Sequence, residues 1–260
     1  MIALWLGLCS SSAFGDTPPP QVELRLVSDV ASASPGSQIQ LLAEFDVPPG
    51  WHIYWLNPGD SGEATQLELL SDSLTMTGSL RWSGPDERMV LEGDVVNLAY
   101  TRQAAVMAEM TVSSSVVGQA RVEARARYLI CRHLCAPGHA SAALVLPIES
   151  RSHPSPWSAR IAQWTERMPR PLPDELRWEW DDEGASLRVP GAVQLELFPS
   201  EDLELALQDQ TVSSAPELDG MRLDLSLPGG GAWAGSVLRI SYADGRRVDY
   251  NLDLFAPLGR

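Results

Sequence analysis

The chain has 260 residues and a formal net charge of −15, with 34 acidic side chains against 19 basic ones, every one of the latter Arg. So acidic a chain lacks the basic face that phosphate binding needs, which argues against a nucleic-acid partner. The length suits two modest domains or one large one, and twenty Gly, twenty Pro and many short alternating runs point to an all-β protein.

The first fifteen residues read as an export signal. Met1 to Leu8 is apolar, and Ser10, Ser11, Ser12 and Ala13-Phe14-Gly15 supply the small residues that a signal peptidase reads. The run is too short to span a bilayer, which takes roughly 20 apolar residues. Cleavage is expected near Gly15; the alternative is a lipoprotein anchor on Cys9, disfavoured by the bulky Leu8 before it. No later stretch is apolar enough to cross a membrane, so a soluble mature chain without a membrane span is expected.

Strands follow. Val22–Val27, Ile39–Phe45, Val106–Val112 and Val122–Tyr128 alternate apolar and polar residues, and Ala142–Pro147 closes the set. Turn signals separate them at Ser34-Pro-Gly36, Pro48-Pro-Gly50 and Asn57-Pro-Gly59. Trp51, Tyr54 and Trp55 read as sandwich core, Asp60 as a turn residue, and His52 carries no special expectation. One helix is predicted: Ser155 as cap, Pro156 at the first helical position, then Trp157, Ile161, Trp164 and Met168 on one stripe. Pro169, Pro171 and Pro173 end it. The strand pattern resumes at Val193–Phe198, Met221–Leu227, Val237–Tyr242 and Tyr250–Leu254, with turns at Pro228–Gly231 and Ala243–Gly245. The expected fold is therefore all-β, two β-sandwiches joined by a short helix. The divisions are a signal peptide over 1–15, a cysteine-bearing sandwich over 16–150, a linker over 151–173 and a second sandwich over 174–260.

Outside the leader the only cysteines are Cys131 and Cys135. A disulfide wants its Cα atoms roughly 4.4–6.8 Å apart, and a continuous strand would carry them much farther. A bridge therefore requires a turn, either a hairpin with Arg132, His133 and Leu134 as its loop or one helical turn. Strand patterns on both sides favour the hairpin. Three-residue loops normally use Gly in a left-handed position, and none is present, so strain and easier reduction are expected. So short a ring also adds little entropic stabilisation. The pair reads as a redox centre more readily than as a structural staple.

Three segments carry a family resemblance. Pro48-Pro-Gly-Trp-His-Ile-Tyr-Trp-Leu-Asn-Pro-Gly-Asp-Ser-Gly-Glu-Ala-Thr65, Arg81-Trp-Ser-Gly-Pro-Asp-Glu-Arg88 and Tyr128-Leu-Ile-Cys-Arg-His-Leu-Cys-Ala-Pro-Gly138 resemble, in order and spacing, the amino-terminal periplasmic region of DsbD-type and ScsB-type thiol:disulfide interchange proteins. The likeness covers about residues 22–148, and the helix and second β block resemble the longer ScsB-type form. The resemblance implies immunoglobulin-like domains, a periplasmic location and an electron relay. Cys135 would form the mixed disulfide with a partner and Cys131 would resolve it. The implied partners are a thioredoxin-like or DsbD-type membrane electron donor and exported disulfide-containing acceptors, with no cofactor. Arg132 and His133 either favour the thiolate or are plain exposed loop residues. Some relatives shield the pair with a cap, and the matching stretch, Pro85 to Leu91, would place Arg88 or Met89 over the bond. Tyr54 and His133 are further candidates for cap or partner contact.

The sequence also departs from that pattern. The 260 residues hold neither the transmembrane bundle nor the thioredoxin-like Cys-x-x-Cys domain common in the family, so a separate donor is expected. Asn97-Leu-Ala-Tyr100 lacks the glycine usual before the tyrosine. Two other readings compete: a partner-binding module with a structural disulfide, and a copper or zinc site built from Cys131, His133, Cys135 and His139. The second gains from the copper-tolerance setting of ScsB-type proteins and loses from having every ligand on one turn.

Overall fold

The computed structural model describes residues 19–90, 95–180, 184–199, 212–217, 219–226 and 236–252. The expected signal peptide, Cys9 and the turn over 228–231 lie outside them. In chain order come β1 (Glu23–Ser28), β2 (Val30–Ser32), β3 (Gln38–Asp46), β4 (His52–Gly59), β5 (Gln66–Leu70), β6 (Leu74–Trp82), β7 (Glu87–Val90), β8 (Val96–Tyr100), β9 (Gln103–Val112), β10 (Gln119–Cys131) and β11 (Cys135–Pro147). Then follow β12 (His153–Pro154), α1 (Ser158–Arg167), β13 (Arg170–Pro171), β14 (Trp178–Trp180), β15 (Gly184–Pro190), β16 (Ala192–Phe198), β17 (Val212–Glu217), β18 (Gly220–Ser226), β19 (Ser236–Tyr242) and β20 (Arg247–Leu252).

Alternation explains the first sandwich. Along β10, Ala120, Val122, Ala124, Ala126, Tyr128 and Ile130 are buried while Arg121, Arg125 and Arg127 face outward, the period of two that a half-covered strand requires. One sheet has the order β1-β3-β9-β6; the other runs β11-β10-β4-β8-β7, with β5 also on β10. All these neighbours are antiparallel. Between them Phe45, Ile53, Trp55, Leu98, Tyr100, Val106 and Val122 form the core. The second sandwich pairs β13-β20-β19-β16 with β14-β15-β18-β17 around Leu187, Val189, Leu223, Leu225, Leu238 and Ile240.

Two local expectations are met only in part. Asn57-Pro-Gly59 closes β4 as expected, but it lies within the strand's last residues, where the register with β8 shifts between Tyr54 and Gly59. Asn57 Oδ1 accepts the Gly59 N–H at 2.8 Å, and Asp60 clamps the Val96 backbone at 2.7 and 2.8 Å. The helix also begins later than Pro156. Ser155 is tied to Asp29 by a backbone hydrogen bond of 2.8 Å, Ser155 and Pro156 make the preceding turn, and Trp157 becomes the cap residue, partly exposed under Arg25. Only Ile161, Trp164 and Met168 of the expected stripe are buried, packed on Val27, Leu42, Ala105 and Met107 on the outside of the first sandwich. The Glu44 carboxylate, 2 % exposed, lies beneath the helix. It accepts hydrogen bonds from Arg160 and from Trp164 Nε1, the latter at 2.8 Å, and so is not left unpaired.

The two sandwiches touch beside β4. Phe198 packs edge-on against Trp55 at 6.3 Å and joins the first core. Asn57 Nδ2 donates to the Pro199 carbonyl at 3.0 Å.

Candidate functional site

The cysteines stand at the last rung of the β10–β11 ladder. Cys131 is the register partner of Cys135, and Arg132, His133 and Leu134 form the loop, closed by the Arg132 N–H donating to the Leu134 carbonyl at 3.2 Å. A disulfide joins the pair, with Cα atoms 4.1 Å apart. The strand patterns on either side bring this about: two long strands in register leave the sulfurs nowhere to go but toward each other. The two ends of the bond differ. Cys131 is 2 % exposed, whereas Cys135 is open to solvent. Leu134 at the tip is 84 % exposed, an apolar side chain held out at the mouth of the site.

Strand β4 supplies the surroundings of the buried sulfur. His52 is the register partner of Cys131 on its other side, so His52, Cys131 and Cys135 lie in one row across three adjacent strands. Two residues along β4, and hence on the same face, Tyr54 donates its hydroxyl to Cys131 Sγ at 3.5 Å. The Tyr54 ring meets the His52 ring edge-on at 5.3 Å. The Gly62 backbone backs the tyrosine closely: a Cβ there would come within 2.4 Å of the ring. Burial pushes the Tyr54 phenol up, keeping it a donor. Burial also holds the His52 imidazole below its ordinary value, opposed by the negative charge of Glu87. His52 Nε2 is buried and has no hydrogen-bond partner among the described residues.

The other residues named from sequence fall in distinct places. Arg88 and Met89 belong to β7, paired with Leu98 and Asn97 of β8 at the edge of the cysteine sheet, so the expected cap segment is a strand through Val90; Leu91 lies outside the described residues. His133 is exposed at the hairpin tip, and Arg132 leans toward Gly50, 3.9 Å from where a side chain there would begin. Tyr54 is buried as expected but on the face opposite to Trp55, beside the sulfur and not in the apolar core. The four proposed metal ligands do not converge. His139 pairs with Arg127 four residues down β11 from Cys135, roughly 13 Å along an extended strand. No group of three or more His, Cys, Asp or Glu able to hold a metal occurs among the described residues. Sequence reasoning passed over His52, although its spacing of two from Tyr54 would have put both on one face.

Comparison with known proteins places the fold. The structure is similar to the N-terminal periplasmic domain of ScsB from Proteus mirabilis, with 15 % identity, 97 % of this chain and 98 % of that one covered, and a TM-score of 0.54; the all-β, immunoglobulin-like fold is shared. The reduced DsbD N-terminal domain of Neisseria meningitidis also matches at 15 % identity over 50 % of this chain and 90 % of that one, with a TM-score of 0.25. No curated protein sequence matches the chain. Residues 21–147, which contain both cysteines, β4 and the cap-like strand, match the family model described as thiol:disulfide interchange protein DsbD, N-terminal. Those residues form a domain that matches the family of DsbD amino-terminal, thiol:disulfide interchange domains.

Proposed function

We propose that the chain relays electrons between exported proteins by thiol–disulfide exchange at Cys131–Cys135. The observation that carries this reading is the asymmetry of the bond, one sulfur sealed and the other open. A thiolate of a donor dithiol attacks Cys135 Sγ, forming a mixed disulfide and expelling Cys131 as thiolate. The donor's second thiol, as thiolate, then attacks its own bridged sulfur and releases Cys135, so donor and chain exchange two electrons and two protons. Passing electrons on runs the other way. The Cys135 thiolate attacks an acceptor disulfide, and Cys131 attacks Cys135 Sγ to free the reduced acceptor and restore the bond. Burial of Cys131 directs the donor's attack to the Cys135 end of the bond.

In this reading the chain works in the periplasm after removal of the leader near Gly15. Its donor is a thioredoxin-like or DsbD-type membrane protein, and its acceptors are exported proteins with disulfides. No helix among the described residues is long and apolar enough to cross a membrane. Arg88 and Met89 of β7 serve as the cap that a partner displaces. The domain divisions follow the two sandwiches, with the helix packed on the first. Two measurements test the proposal. The reduction potential of the pair should fall at roughly −180 to −270 mV, the range of disulfide carriers, and a value well below about −300 mV would make the bond a staple. A Cys131→Ser chain should accumulate mixed disulfides with exported disulfide-containing proteins through Cys135, while Cys135→Ser should not.

A further inference from the structure

The row His52–Cys131–Cys135 puts an imidazole on the side of the buried sulfur away from its disulfide partner. Direct antiparallel partners carry their Cβ atoms roughly 4.5–5.5 Å apart on one face of the sheet. His52 Nε2 is buried without a hydrogen-bond partner among the described residues, a condition that is costly in a folded protein. When the bond is reduced, Cys131 becomes a thiol in a site 2 % exposed, where water cannot readily take its proton and burial disfavours its thiolate. Yet that thiolate is the nucleophile which must re-form the bond to Cys135.

We propose that His52 is the base that takes the proton from the Cys131 thiol as that sulfur attacks Cys135. The inference rests on the exchange reading above and names the group that drives its resolving step. The thiol S–H bond breaks and its proton passes to the imidazole. The sulfur's electron pair forms the bond to Cys135 Sγ, and the acceptor's sulfur leaves as thiolate, to be protonated by the imidazolium or by water. Tyr54, whose hydroxyl reaches Cys131 Sγ and whose ring lies edge-on to His52, holds the sulfur from a third direction. The charged groups around the imidazole are few. Glu87 on β7 favours its protonated form. Asp86 is held by the backbone N–H groups of Thr101 and Arg102 at 3.0 and 3.1 Å. Arg88 is exposed on β7, and Arg132 leans over Gly50, two residues before His52. Burial keeps His52 neutral at pH 7 and therefore able to accept.

The test uses the full reduced chain and dithiodipyridine as acceptor. Thiopyridone is released first when Cys135 forms the mixed disulfide and again when Cys131 resolves it. In the wild-type chain the second phase should rise with pH and level off below pH 7, once His52 is neutral. In His52→Gln it should be roughly 10²-fold slower at pH 7 and keep rising about tenfold per pH unit until the thiol itself titrates, with the first phase changed by less than about twofold. His52→Phe, which keeps a ring in the space, should show the same loss and the same missing plateau. An unchanged second phase in both variants, with two phases intact, would overturn the role of His52 and leave the exchange reading standing. A wild-type chain with no second phase would overturn both.

Discussion

The Tyr54 hydroxyl is 3.5 Å from the sulfur of Cys131, donating to the end of the disulfide that solvent does not reach. A neutral bridged sulfur is a weak acceptor and a thiolate a strong one, so this hydrogen bond strengthens when the bond is broken. Tyr54→Phe should therefore lower the reduction potential, measured at a pH where reduced Cys131 is a thiolate, by roughly 10–30 mV, the equivalent of one ordinary hydrogen bond. It should also slow attack on Cys135 severalfold. Equilibration with graded glutathione buffers measures the first effect, and stopped-flow reduction by a dithiol the second.

Gly62→Ala reaches the same tyrosine from behind. Gly62 sits at φ 98°, and a methyl group there would meet the Tyr54 ring at 2.4 Å. Either the loop or the ring must shift, at a cost of about 1–3 kcal/mol. If the ring moves, the potential should change in the direction seen for Tyr54→Phe. A lowered urea midpoint with an unaltered potential would show that the loop gives way.

Leu134 is the exposed apolar side chain nearest the bond along the chain, and nothing in the sandwich depends on it. Leu134→Asp should leave stability within about 0.5 kcal/mol of the parent. The rate with dithiothreitol should stay unchanged, while reduction by a thioredoxin-like protein should slow by at least about fivefold, as for an interface residue worth roughly 1 kcal/mol. Equal slowing with both reductants would place its effect on the bond and not on docking.

Alkaline stability should report on Tyr100. Its hydroxyl is buried against the Ser83 carbonyl at 2.6 Å, and burial pushes the phenol far above its ordinary value of 10.0. A group whose pKa is raised on folding contributes stability that is intact below its unfolded pKa and lost above it. From about pH 10 upward the unfolded chain releases a proton that the folded chain retains, and stability should fall by about 1.4 kcal/mol per pH unit from this residue alone. Tyr100→Phe should be less stable at pH 7, by about 1 kcal/mol for the lost hydrogen bond, yet show a shallower decline above pH 10 in urea titrations.

Much of this architecture was legible because half-covered strands must alternate. The pattern in Val122–Tyr128 located β10, and the patterns flanking the cysteines indicated their hairpin. Strand β6 was not legible: Gly78 and Ser79 interrupt it, its register with β9 shifts between Thr77 and Arg81, and it is held by pairing to β9. Strand β7 carries no alternating pattern, and the family resemblance alone marks its stretch as a cap; pairing with β8 makes it extended. The helix starts later than the sequence suggests because Ser155 caps a turn before it: its Oγ accepts the Trp157 N–H at 2.9 Å and its carbonyl the Ser158 N–H at 3.1 Å. His52 escaped for another reason. A lone histidine between apolar neighbours reads as filler until the register shows which residue lies across from it.

The cysteine hairpin separates chemistry from folding. Below the disulfide, the β10–β11 ladder continues from Ile130–Ala136 to Gln119–Pro147, and β10 is flanked on its other side by β4 and β5. When the covalent link opens, every one of those pairings still holds the two sulfurs at the same rung. The polypeptide can thus be oxidised and reduced repeatedly without exposing its interior or searching for the correct pairing again. In the proposed relay, turnover is then limited by encounters with other proteins and by proton movement, not by rearrangement of the main chain.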